Sequence, residues 1–298
     1  MLRLLAIIVL INSGICHNLS KVTWAHAVNS WKLLNQTLSS SDIQMIEADV
    51  IIGKHKNGYK IPIMGHPPFS SRDLSLEQFL TAVIEHNGNG DNNKKGIKLD
   101  YKTIEAVQQS VFMLKRKDLK ANTLWINADI ILGPGKGIKP KPVDANLFFD
   151  VIKSIEELKS VTFSIGWTTS VNIIPGLPLW TMKTRYSQNH VDAMIKAIEE
   201  NHIDGSNYPI SFPIRAAIAA ESREVLQYLF NEVSKQSNVT FTIWSATNDE
   251  VNISKLQDLI LSIGTDKVYV DVPKKLKDQL NLNNPSNDVC KIKFPEID

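Results

Sequence analysis

Acidic side chains alternate with apolar ones in the stretch MIEADVIIG, residues 45–53. The run is typical of a strand, and because side chains alternate faces along a strand, Glu47 and Asp49 point the same way. Their apolar neighbours point the other way, which indicates that both faces of the strand are covered. A buried carboxylate without a partner is costly or shifts its pKa until it is neutral. The pair therefore needs a specific counter-charge.

Two further strand-like stretches repeat this arrangement. Lys98, Asp100 and Lys102 alternate with apolar residues along GIKLDYK, and Asn127 and Asp129 do the same along TLWINADIIL. Three successive strands therefore aim polar groups towards one interior. The chemistry that this interior supports depends on how its negative charges are compensated.

A bound metal ion and a salt-bridge layer are the two ways to compensate these carboxylates. Two unit charges about 4 Å apart repel by roughly 4 kcal/mol at an effective dielectric constant of ~20, so ionised carboxylates that converge need a cation. Because oxygen ligands select a hard ion, Glu47, Asp49 and Asp100 are predicted to bind one Mg²⁺ or Ca²⁺. In the alternative, Lys98 or Lys102 neutralises the carboxylates and no metal binds.

Two histidines lie at strand ends beside these carboxylates. His26 ends the first strand-like run, and His66 lies in IPIMGHPP, just after the run that carries Glu47. A single histidine at a strand end is commonly a hydrogen-bonded core residue. Two of them at the same end of a barrel predict an acid–base pair, because the unperturbed pKa of histidine lies close to physiological pH.

An alternation of short β-rich runs and longer helical patterns must position these residues. The strand candidates lie at 22–28, 43–52, 96–102, 123–132, 161–169, 208–216, 239–246 and 267–273. The helical patterns lie at 29–39, 75–87, 103–120, 144–160, 188–202, 219–236 and 250–263. Strand–helix alternation favours a parallel sheet. Eight such strands in 298 residues predict a single (β/α)8 TIM barrel, with a doubly wound open sheet as the alternative.

Composition and charge exclude some classes of function. The net charge is +2, 43% of the residues are hydrophobic and 21% are charged, as in an ordinary globular domain. No basic stripe is interleaved with aromatic residues, so we expect no nucleic-acid binding. Trp244, on the seventh strand candidate, is expected either to line the substrate site or to pack in the core.

The first 16 residues are predicted to be a secretory signal peptide. Arg3 is followed by an apolar run and then by small residues, with cleavage after Cys16, so the mature barrel domain spans residues 17–298. The apolar run is too short to cross a bilayer and no other run is long enough, so we expect a secreted chain without a transmembrane segment. Asn-x-Ser/Thr glycosylation sequons agree with this location, at Asn18, Asn35, Asn238 and Asn252.

The order of these residues resembles a known superfamily. The segments AHAVNSW, MIEADVIIGKHKNGYKIPIMGHPP and GIKLDYK resemble the glycerophosphodiester phosphodiesterase and phosphatidylinositol-specific phospholipase C-like barrels. The positions that match their motifs are His26, Glu47, Asp49, His66, Asp100 and Lys102. Further segments, including WINADIILGPG, FSIGWTT and FPIRAA, resemble the menorin family, a secreted branch of that fold. This resemblance covers nearly the whole mature chain.

The resemblance implies a secreted phosphodiesterase-like barrel. It implies one divalent cation on the three carboxylates and acid–base catalysis by His26 and His66. The implied substrate is a phosphodiester of the glycerophosphodiester or lysophospholipid type, presented by a small molecule or a lipid headgroup. The enzyme class is therefore a metal-dependent phosphodiesterase or a phospholipase D-like phosphotransferase.

The chain departs from that superfamily at two positions that bear on phosphate binding. Bacterial-type members carry Arg directly after the first His and often Asp after the second, where this chain has Ala27 and Pro67. Phosphate contacts are therefore expected from Lys102 and from Arg215 on the sixth strand, whose alternative role is an outward salt bridge. Weaker candidates lie on the long loops after the fourth and fifth strands, at Lys136 and Lys183.

A binding protein is the alternative function. The menorin resemblance implies an extracellular cue that guides dendrite branching through cell-surface receptors. In that case the barrel keeps its site residues while its outer surface binds partners. Ala27 in place of the arginine favours this alternative, whereas the presence of both histidines and all three acids favours a competent catalytic site.

Overall fold

Eight parallel strands form a nearly closed barrel in the computed structural model, as the sequence pattern predicted. The structure describes residues 18–282 except 57, 69–70, 90–92, 117–118, 120–122, 136–138, 170–183, 206–207 and 247–248. In chain order the strands are β1 (Trp24–Ala25), β2 (Met45–His55), β3 (Lys60–Met64), β4 (Ser71–Arg72), β5 (Gly96–Tyr101), β6 (Leu124–Ile131), β7 (Thr162–Trp167), β8 (Ile210–Arg215), β9 (Val239–Trp244) and β10 (Val268–Asp271). The barrel follows the order β1-β2-β5-β6-β7-β8-β9-β10. Each of the eight strand candidates overlaps one of these barrel strands, and the strands form a nearly closed barrel, so the doubly wound alternative is wrong.

Helices connect successive barrel strands, as right-handed parallel crossovers require. They are α1 (Trp31–Leu38), α2 (Leu76–Gly88), α3 (Ile104–Leu114), α4 (Ala145–Lys153), α5 (Gln188–Glu200), α6 (Ala216–Ala219), α7 (Arg223–Val233), α8 (Ile253–Ile263) and α9 (Lys274–Leu280). Each predicted helical pattern contains a helix. Polar side chains fix several first turns, because the hydroxyls of Ser30 and Thr103 and the carboxylate of Asp144 accept hydrogen bonds from backbone N–H groups three residues on. No helix within the described residues is long and apolar enough to cross a bilayer.

The structure differs from the predicted pattern at turns and element ends that hydrophobic periodicity does not indicate. The segment after β2 returns as β3, which pairs antiparallel with β2, and β4 adds to the same strand. The pattern at 219–236 begins at the last residue of α6, and α7 begins only at Arg223. Between the two helices, the Ser222 hydroxyl donates to Ile218 O and accepts from Tyr186 N. The last helix, α9, was not predicted, since its short sequence KKLKDQL is mostly charged.

Side chains close the barrel between its first and last strands. His26, directly after β1, contacts Asp271 of β10 at 2.9 Å between Nδ1 and Oδ2. Trp24 of β1 packs edge-to-face on Tyr269 of β10 with ring centroids 5.9 Å apart. No backbone ladder joins these two strands in the described part of the chain. The ionic pair lies at the C-terminal ends of the strands. The backbone N–H of Ser20, before β1, also donates to Thr265 O, before β10, at 3.3 Å, so the two ends of the barrel are joined by several separate contacts.

The barrel interior has an aromatic end and a charged end. The floor, at the N-terminal ends of the strands, consists of Trp24, Trp125 and Tyr269, whose ring centroids lie 5.0 to 5.9 Å apart, with Val22 and Met45 packed against them. Above the floor lies a buried layer of neutral polar side chains, Asn127, Ser164, Ser211 and Thr242. The mouth, at the C-terminal strand ends, is the end where barrel active sites lie.

Candidate active site at the barrel mouth

A large cavity opens at the mouth. Its volume is about 1320 Å³. Seven of the predicted site residues line it, namely His26, Glu47, Asp49, His66, Asp100, Lys102 and Trp244. The register places Glu47 beside Lys98 and Asp49 beside Asp100 on the neighbouring strands β2 and β5. Parallel pairing thus brings together carboxylates that are about 50 residues apart in the chain.

The three predicted metal ligands form one compact cluster. An oxygen atom of each of Glu47, Asp49 and Asp100 lies within 4.8 Å of the other two. Neutral donors orient one oxygen of each carboxylate, at 2.7 Å in every case: Ala27 N to Glu47 Oε2, Asn29 Nδ2 to Asp49 Oδ2, and Asn127 Nδ2 to Asp100 Oδ1. These hydrogen bonds leave the second oxygen of each carboxylate for a cation, which is how the outer contacts of a metal site orient its ligands.

The Lys102 ammonium bridges two members of this cluster. Its Nζ lies 2.8 Å from Asp49 Oδ1 and 2.6 Å from Asp100 Oδ2. Burial opposes the charged form of Lys102, but the carboxylates of Asp100 and Asp49 outweigh it and raise its pKa well above the usual value. Burial likewise raises the pKa of Asp49, yet Lys102 and the Asn29 hydrogen bond hold it below its usual range. The salt-bridge alternative thus describes Asp49 and Asp100 here, and a metal at this cluster has to displace the ammonium.

An unusual backbone conformation holds Glu47. Ala27 has φ = 54°, in the left-handed region that residues with a Cβ rarely occupy. The chain turns there, directly after His26, and the Ala27 amide donates to Glu47 Oε2. Burial is the main cause that raises the pKa of Glu47 to about 7. The charge of His26 opposes this rise, and the charges of Asp49 and Asp100 add to it. Local backbone strain at Ala27 thus orients the Glu47 carboxylate. With its raised pKa, this carboxylate binds a proton readily when no metal is present.

His26 is the cationic member of the histidine pair. Its Nδ1 contacts Asp271 Oδ2 at 2.9 Å and lies 3.5 Å from Glu47 Oε2. Burial lowers the pKa of His26, but the charge of Glu47 and the hydrogen bond with Asp271 outweigh it and raise the pKa to about 9. Because Nδ1 is held by the carboxylates, Nε2 remains for a ligand. The ring also stacks on Trp244, with centroids 6.4 Å apart and an interplanar angle of 15°.

His66 presents the opposite proton arrangement. Its Nδ1 lies 2.6 Å from the carbonyl oxygen of Pro67. A carbonyl oxygen only accepts, so Nδ1 carries the proton and Nε2 of the neutral ring has a free lone pair. The side chain is exposed and lines the cavity. His66 is therefore suited to accept a proton at the mouth.

Asp129 is a fourth carboxylate of the cavity wall. Burial, followed by the charge of Asp100, raises its pKa to about 7. A Cβ at Gly166 would lie 2.6 Å from Asp129 Oδ1 and 2.8 Å from Pro213 Cγ. The glycine on β7 therefore makes room for this carboxylate. Asp129 lies on the inward face that the sequence pattern defined, but only the register of the neighbouring strand identifies the glycine.

Arg215 supports the mouth from below Trp244 rather than from inside the cavity. Its guanidinium makes two hydrogen bonds to the buried Asp249, at 2.8 Å from Nε and 2.6 Å from Nη2. It also lies 5.5 Å from the centroid of the Trp244 ring. Arg215 is not among the residues that line the cavity. Its role as a phosphate ligand remains a prediction, and the observed contacts assign it a part in holding Trp244.

The donor set fits a hard divalent cation. The three clustered ligands are all carboxylates, the donors that Mg²⁺ and Ca²⁺ prefer. Glu47 and Asp129 each have a pKa raised to about 7, because burial and neighbouring carboxylates oppose their ionisation. A divalent ion at the cluster would favour the ionised forms of these carboxylates.

Other predicted residues lie away from this cavity. Asn35, Asn238 and Asn252 are exposed, whereas Asn18 is buried and its Oδ1 accepts a hydrogen bond from Ser20 at 2.6 Å. Glycosylation of all four sequons remains a prediction, and Asn18 is the least accessible. The signal peptide at 1–16, Lys136 and Lys183 lie outside the described residues. The sequence pattern did not single out Asp271 and Asp249, which pair with His26 and Arg215. The position of Asp271 at the end of the eighth strand could have indicated that it lies at the mouth, whereas nothing in the sequence indicates Asp249.

The chain is similar to several known proteins. Human protein FAM151B is 32% identical over 255 residues, which cover 85% of this chain and 83% of the relative. Among solved structures, a phosphodiesterase from Oleispira antarctica in complex with the product sn-glycerol-3-phosphate has a TM-score of 0.49 at 12% identity, covering 87% of this chain and 96% of that one. The GH53 catalytic domain of Ignisphaera aggregans has a TM-score of 0.44 at 9% identity, covering 87% of this chain and 86% of that one.

A family model spans almost all of the described residues. The Menorin N-terminal domain model matches residues 18–277, from the turn before β1 into α9. This range contains every barrel strand and every residue of the mouth. The chain therefore belongs to the menorin family.

Proposed function

We propose that the protein is an enzyme that cleaves or transfers a phosphodiester of the glycerophosphodiester or lysophospholipid type. The observation that carries this proposal is that His26 and His66 open into the same cavity as the carboxylate cluster. One volume then offers a proton donor, a proton acceptor and a place for a divalent cation, which are the groups that phosphodiester cleavage uses. The sequence pattern at the N-terminus further supports action outside the cell.

The two histidines have distinct roles in this proposal. His26 is protonated at neutral pH, since its pKa is about 9. It is therefore the acid, which donates the Nε2 proton to the leaving oxygen. His66 is the base, which removes a proton from the attacking hydroxyl through Nε2. Attack by a hydroxyl of the substrate gives a cyclic phosphate, and attack by water gives a monoester.

The carboxylate cluster supplies the site for the divalent cation. When bound, such an ion provides Lewis-acid neutralisation of a phosphate oxygen. Asn29, Asn127 and the Ala27 amide keep the three carboxylates oriented through their 2.7 Å hydrogen bonds. Lys102, once displaced from Asp49 and Asp100, brings its positive charge to the same space. Trp244 forms the wall of the cavity beside His26.

A receptor-binding protein without catalysis is the second candidate function. The observation that favours it is that Lys102 and Arg215, the two expected phosphate ligands, are both held in ion pairs with carboxylates. In this candidate the mouth is a structural salt-bridge layer, and cell-surface receptors bind the outer surface of the barrel. The two candidates differ in whether the purified protein turns over a phosphodiester.

The discriminating experiment is a substrate screen with the purified full-length chain. Glycerophosphodiesters and lysophospholipids are incubated with millimolar Mg²⁺, with millimolar Ca²⁺, or with a chelator. The enzymatic proposal expects turnover that requires the metal and falls by about 10²–10⁴-fold when His26 or His66 is replaced with Asn. Loss of activity in both variants identifies an acid–base pair.

The matched control is His202→Asn. His202 is exposed, lies in the turn between α5 and β8 at the opposite end of the barrel, and has φ = 53°, a conformation that Asn tolerates. Its replacement should leave turnover unchanged. If no substrate of either class is turned over under any metal condition, the catalytic proposal is wrong and the receptor-binding candidate takes its place.

A further inference from the structure

Lys98 is a buried lysine whose ammonium has no fixed acceptor. Its residue exposure is 4%, and within the described part of the chain it makes no direct hydrogen bond or ion pair, although its charge opposes the rise in the pKa of Glu47 and Asp129. It lines the same cavity as the two histidines and the carboxylate cluster. An ammonium in a buried side chain normally has a hydrogen-bond partner, and here the cavity is the side from which one can bind.

The other buried cations of the described chain have partners. Lys95, three residues earlier and at the opposite end of the barrel, donates to Ile43 O and Asn93 Oδ1 at 2.6 Å each. Lys102 bridges two carboxylates, and Arg215 is paired with Asp249. Lys98 therefore differs from all three, because its ammonium faces a cavity rather than a fixed acceptor.

The register fixes where Lys98 lies. On β5 it sits opposite Glu47 of β2, two residues below the level of the Asp49–Asp100 pair. Two residues of strand correspond to ~7 Å, and the flexible four-carbon stem of lysine spans most of that distance. The ammonium is thus able to meet a ligand at the level of the carboxylate cluster.

We infer that Lys98 binds the phosphate of the substrate, taking one non-bridging oxygen in a charge-assisted hydrogen bond. The inference rests on the proposed phosphodiester function and deepens it. Lysine binds phosphate as a point charge, and such charged contacts are roughly twice as strong as neutral ones. On the other side of Glu47, position 27 is alanine, so only the backbone amide of that residue contacts the carboxylate. Lys98 supplies from β5 a positive charge in addition to that of His26.

The competing explanation is that Lys98 only offsets the negative charge of the mouth. The two roles predict effects of different kind. As a phosphate ligand, Lys98 should weaken phosphate binding when it is neutralised. As a counter-charge alone, it should strengthen Mg²⁺ binding when it is neutralised, because a repelling positive charge is lost, and leave phosphate binding unchanged.

The test measures both ligands on one set of variants. Binding of inorganic phosphate in saturating Mg²⁺, and of Mg²⁺ alone, is titrated by calorimetry for wild type, Lys98→Gln and Lys98→Met. We expect both variants to bind phosphate at least about tenfold more weakly, since a hydrogen bond to a charged group is worth about 1.5–3 kcal/mol. Mg²⁺ affinity should stay the same or rise. Lys98→Met keeps an unbranched apolar stem and removes the charge, and thermal unfolding establishes that each variant is folded.

The control is Lys196→Gln, which removes a lysine from an exposed pair with Glu200 on α5. It should leave both affinities unchanged. Unchanged phosphate affinity in folded Lys98 variants overturns the inference while leaving the phosphodiesterase proposal intact. Failure of the wild type to bind phosphate in Mg²⁺ overturns both.

Discussion

The floor and the mouth of the barrel are built from the same strands but from opposite chemistry. On β1, β6 and β10, an aromatic floor residue precedes a polar mouth residue by two positions, as Trp24 precedes the His26 that follows the strand and Tyr269 precedes Asp271. Residues two apart share a face, so the same inward face changes from apolar to charged within ~7 Å. The difference shows that stability and ligand binding are separated along each strand rather than between different elements.

The two regions affect the free energy of folding in opposite ways. The floor buries large rings in edge-to-face contact, which adds to their hydrophobic burial. The mouth buries neighbouring carboxylates, and this raises the pKa of both Glu47 and Asp129 to about 7. An arrangement of this kind is destabilising unless protons or a cation neutralise these carboxylates. The floor thus stabilises the barrel, whereas the mouth carries a local charge imbalance around Glu47 and Asp129.

Replacing the central ring of the floor should give the largest loss of stability. Trp125 is 4% exposed and packs on Trp24 and Tyr269 at 5.7 and 5.0 Å between ring centroids. We expect Trp125→Ala to lower the free energy of unfolding by about 3–5 kcal/mol, because the cavity it leaves adds to the lost burial. Urea denaturation measures this loss, and Mg²⁺ affinity of the folded fraction should be unchanged.

Trp244→Ala at the mouth is the comparison for that variant. Trp244 is only half-buried, so its removal should cost less stability, while substrate turnover should fall because His26 loses its stacking partner. If the two variants lose equal stability and equal activity, the separation between floor and mouth is wrong.

The pH dependence of the metal-free protein should reveal the charge imbalance of the mouth. Burial and neighbouring carboxylates raise the pKa of Glu47 from 4.5 to about 7. A raised pKa means that the folded state binds the proton more tightly, so stability is fully present below pH 4.5 and is lost as pH rises to about 7. The loss for this one carboxyl group is roughly 3 kcal/mol at about 1.4 kcal/mol per pKa unit. Urea denaturation in chelator at several pH values measures it.

Glu47→Gln separates this effect from all others. The amide does not titrate, so the variant should lose less stability between pH 5 and 8 than the wild type, on the order of the same 3 kcal/mol. Glu77→Gln on α2, outside the cavity, is the control and should follow the wild type. A wild-type protein whose stability rises over this pH range in chelator contradicts the proposed protonation of the mouth.

Binding of a divalent cation should reverse the instability of the mouth. A ligand that binds only the native state stabilises it by ~2.7 kcal/mol at 100 times its dissociation constant. Millimolar Mg²⁺ or Ca²⁺ should therefore raise the melting temperature of the wild type, and Asp49→Asn should reduce that rise. Asp150→Asn, on an exposed carboxylate of α4, is the control. Equal melting temperatures in chelator and in metal for wild type and Asp49→Asn mean that the carboxylates form only a salt-bridge layer with Lys102.

The sequence was sufficient to predict the barrel and most of the residues that line its mouth. Period-two alternation on β2, β5 and β6 identifies strands and their inward face at once, so Glu47, Asp49 and Asp100 follow from one pattern. Parallel strands then bring successive inward positions to the same end. The positions of His26 and His66 at the ends of strand-like runs predicted them as a pair, and the family resemblance then matched both to its motifs.

The alternation pattern does not predict which side chains pair with these residues. Asp271 is 245 residues from His26 and meets it only because the barrel closes. Asp249 lies in a loop, where no period indicates that it binds Arg215. The position of Lys102 between Asp49 and Asp100 depends on side-chain rotamers, which alternation does not determine. Strand-face arguments therefore find which residues converge but not which of them pair.

The smallest effect is expected where the mouth uses backbone strain. Ala27 occupies the left-handed region at φ = 54° so that its amide reaches Glu47. Glycine removes the clash of the Cβ, worth about 1–2 kcal/mol, but adds entropy to the unfolded chain, which costs about 0.5–1 kcal/mol. Ala27→Gly should therefore change the free energy of unfolding by less than ~1 kcal/mol and leave turnover intact, since the amide remains. Ala25→Gly on β1, where φ is not positive, gains no relief and should be clearly destabilising. If urea denaturation gives the two glycine variants equal losses, the left-handed turn carries no strain, and the Glu47 carboxylate is oriented without cost to the fold.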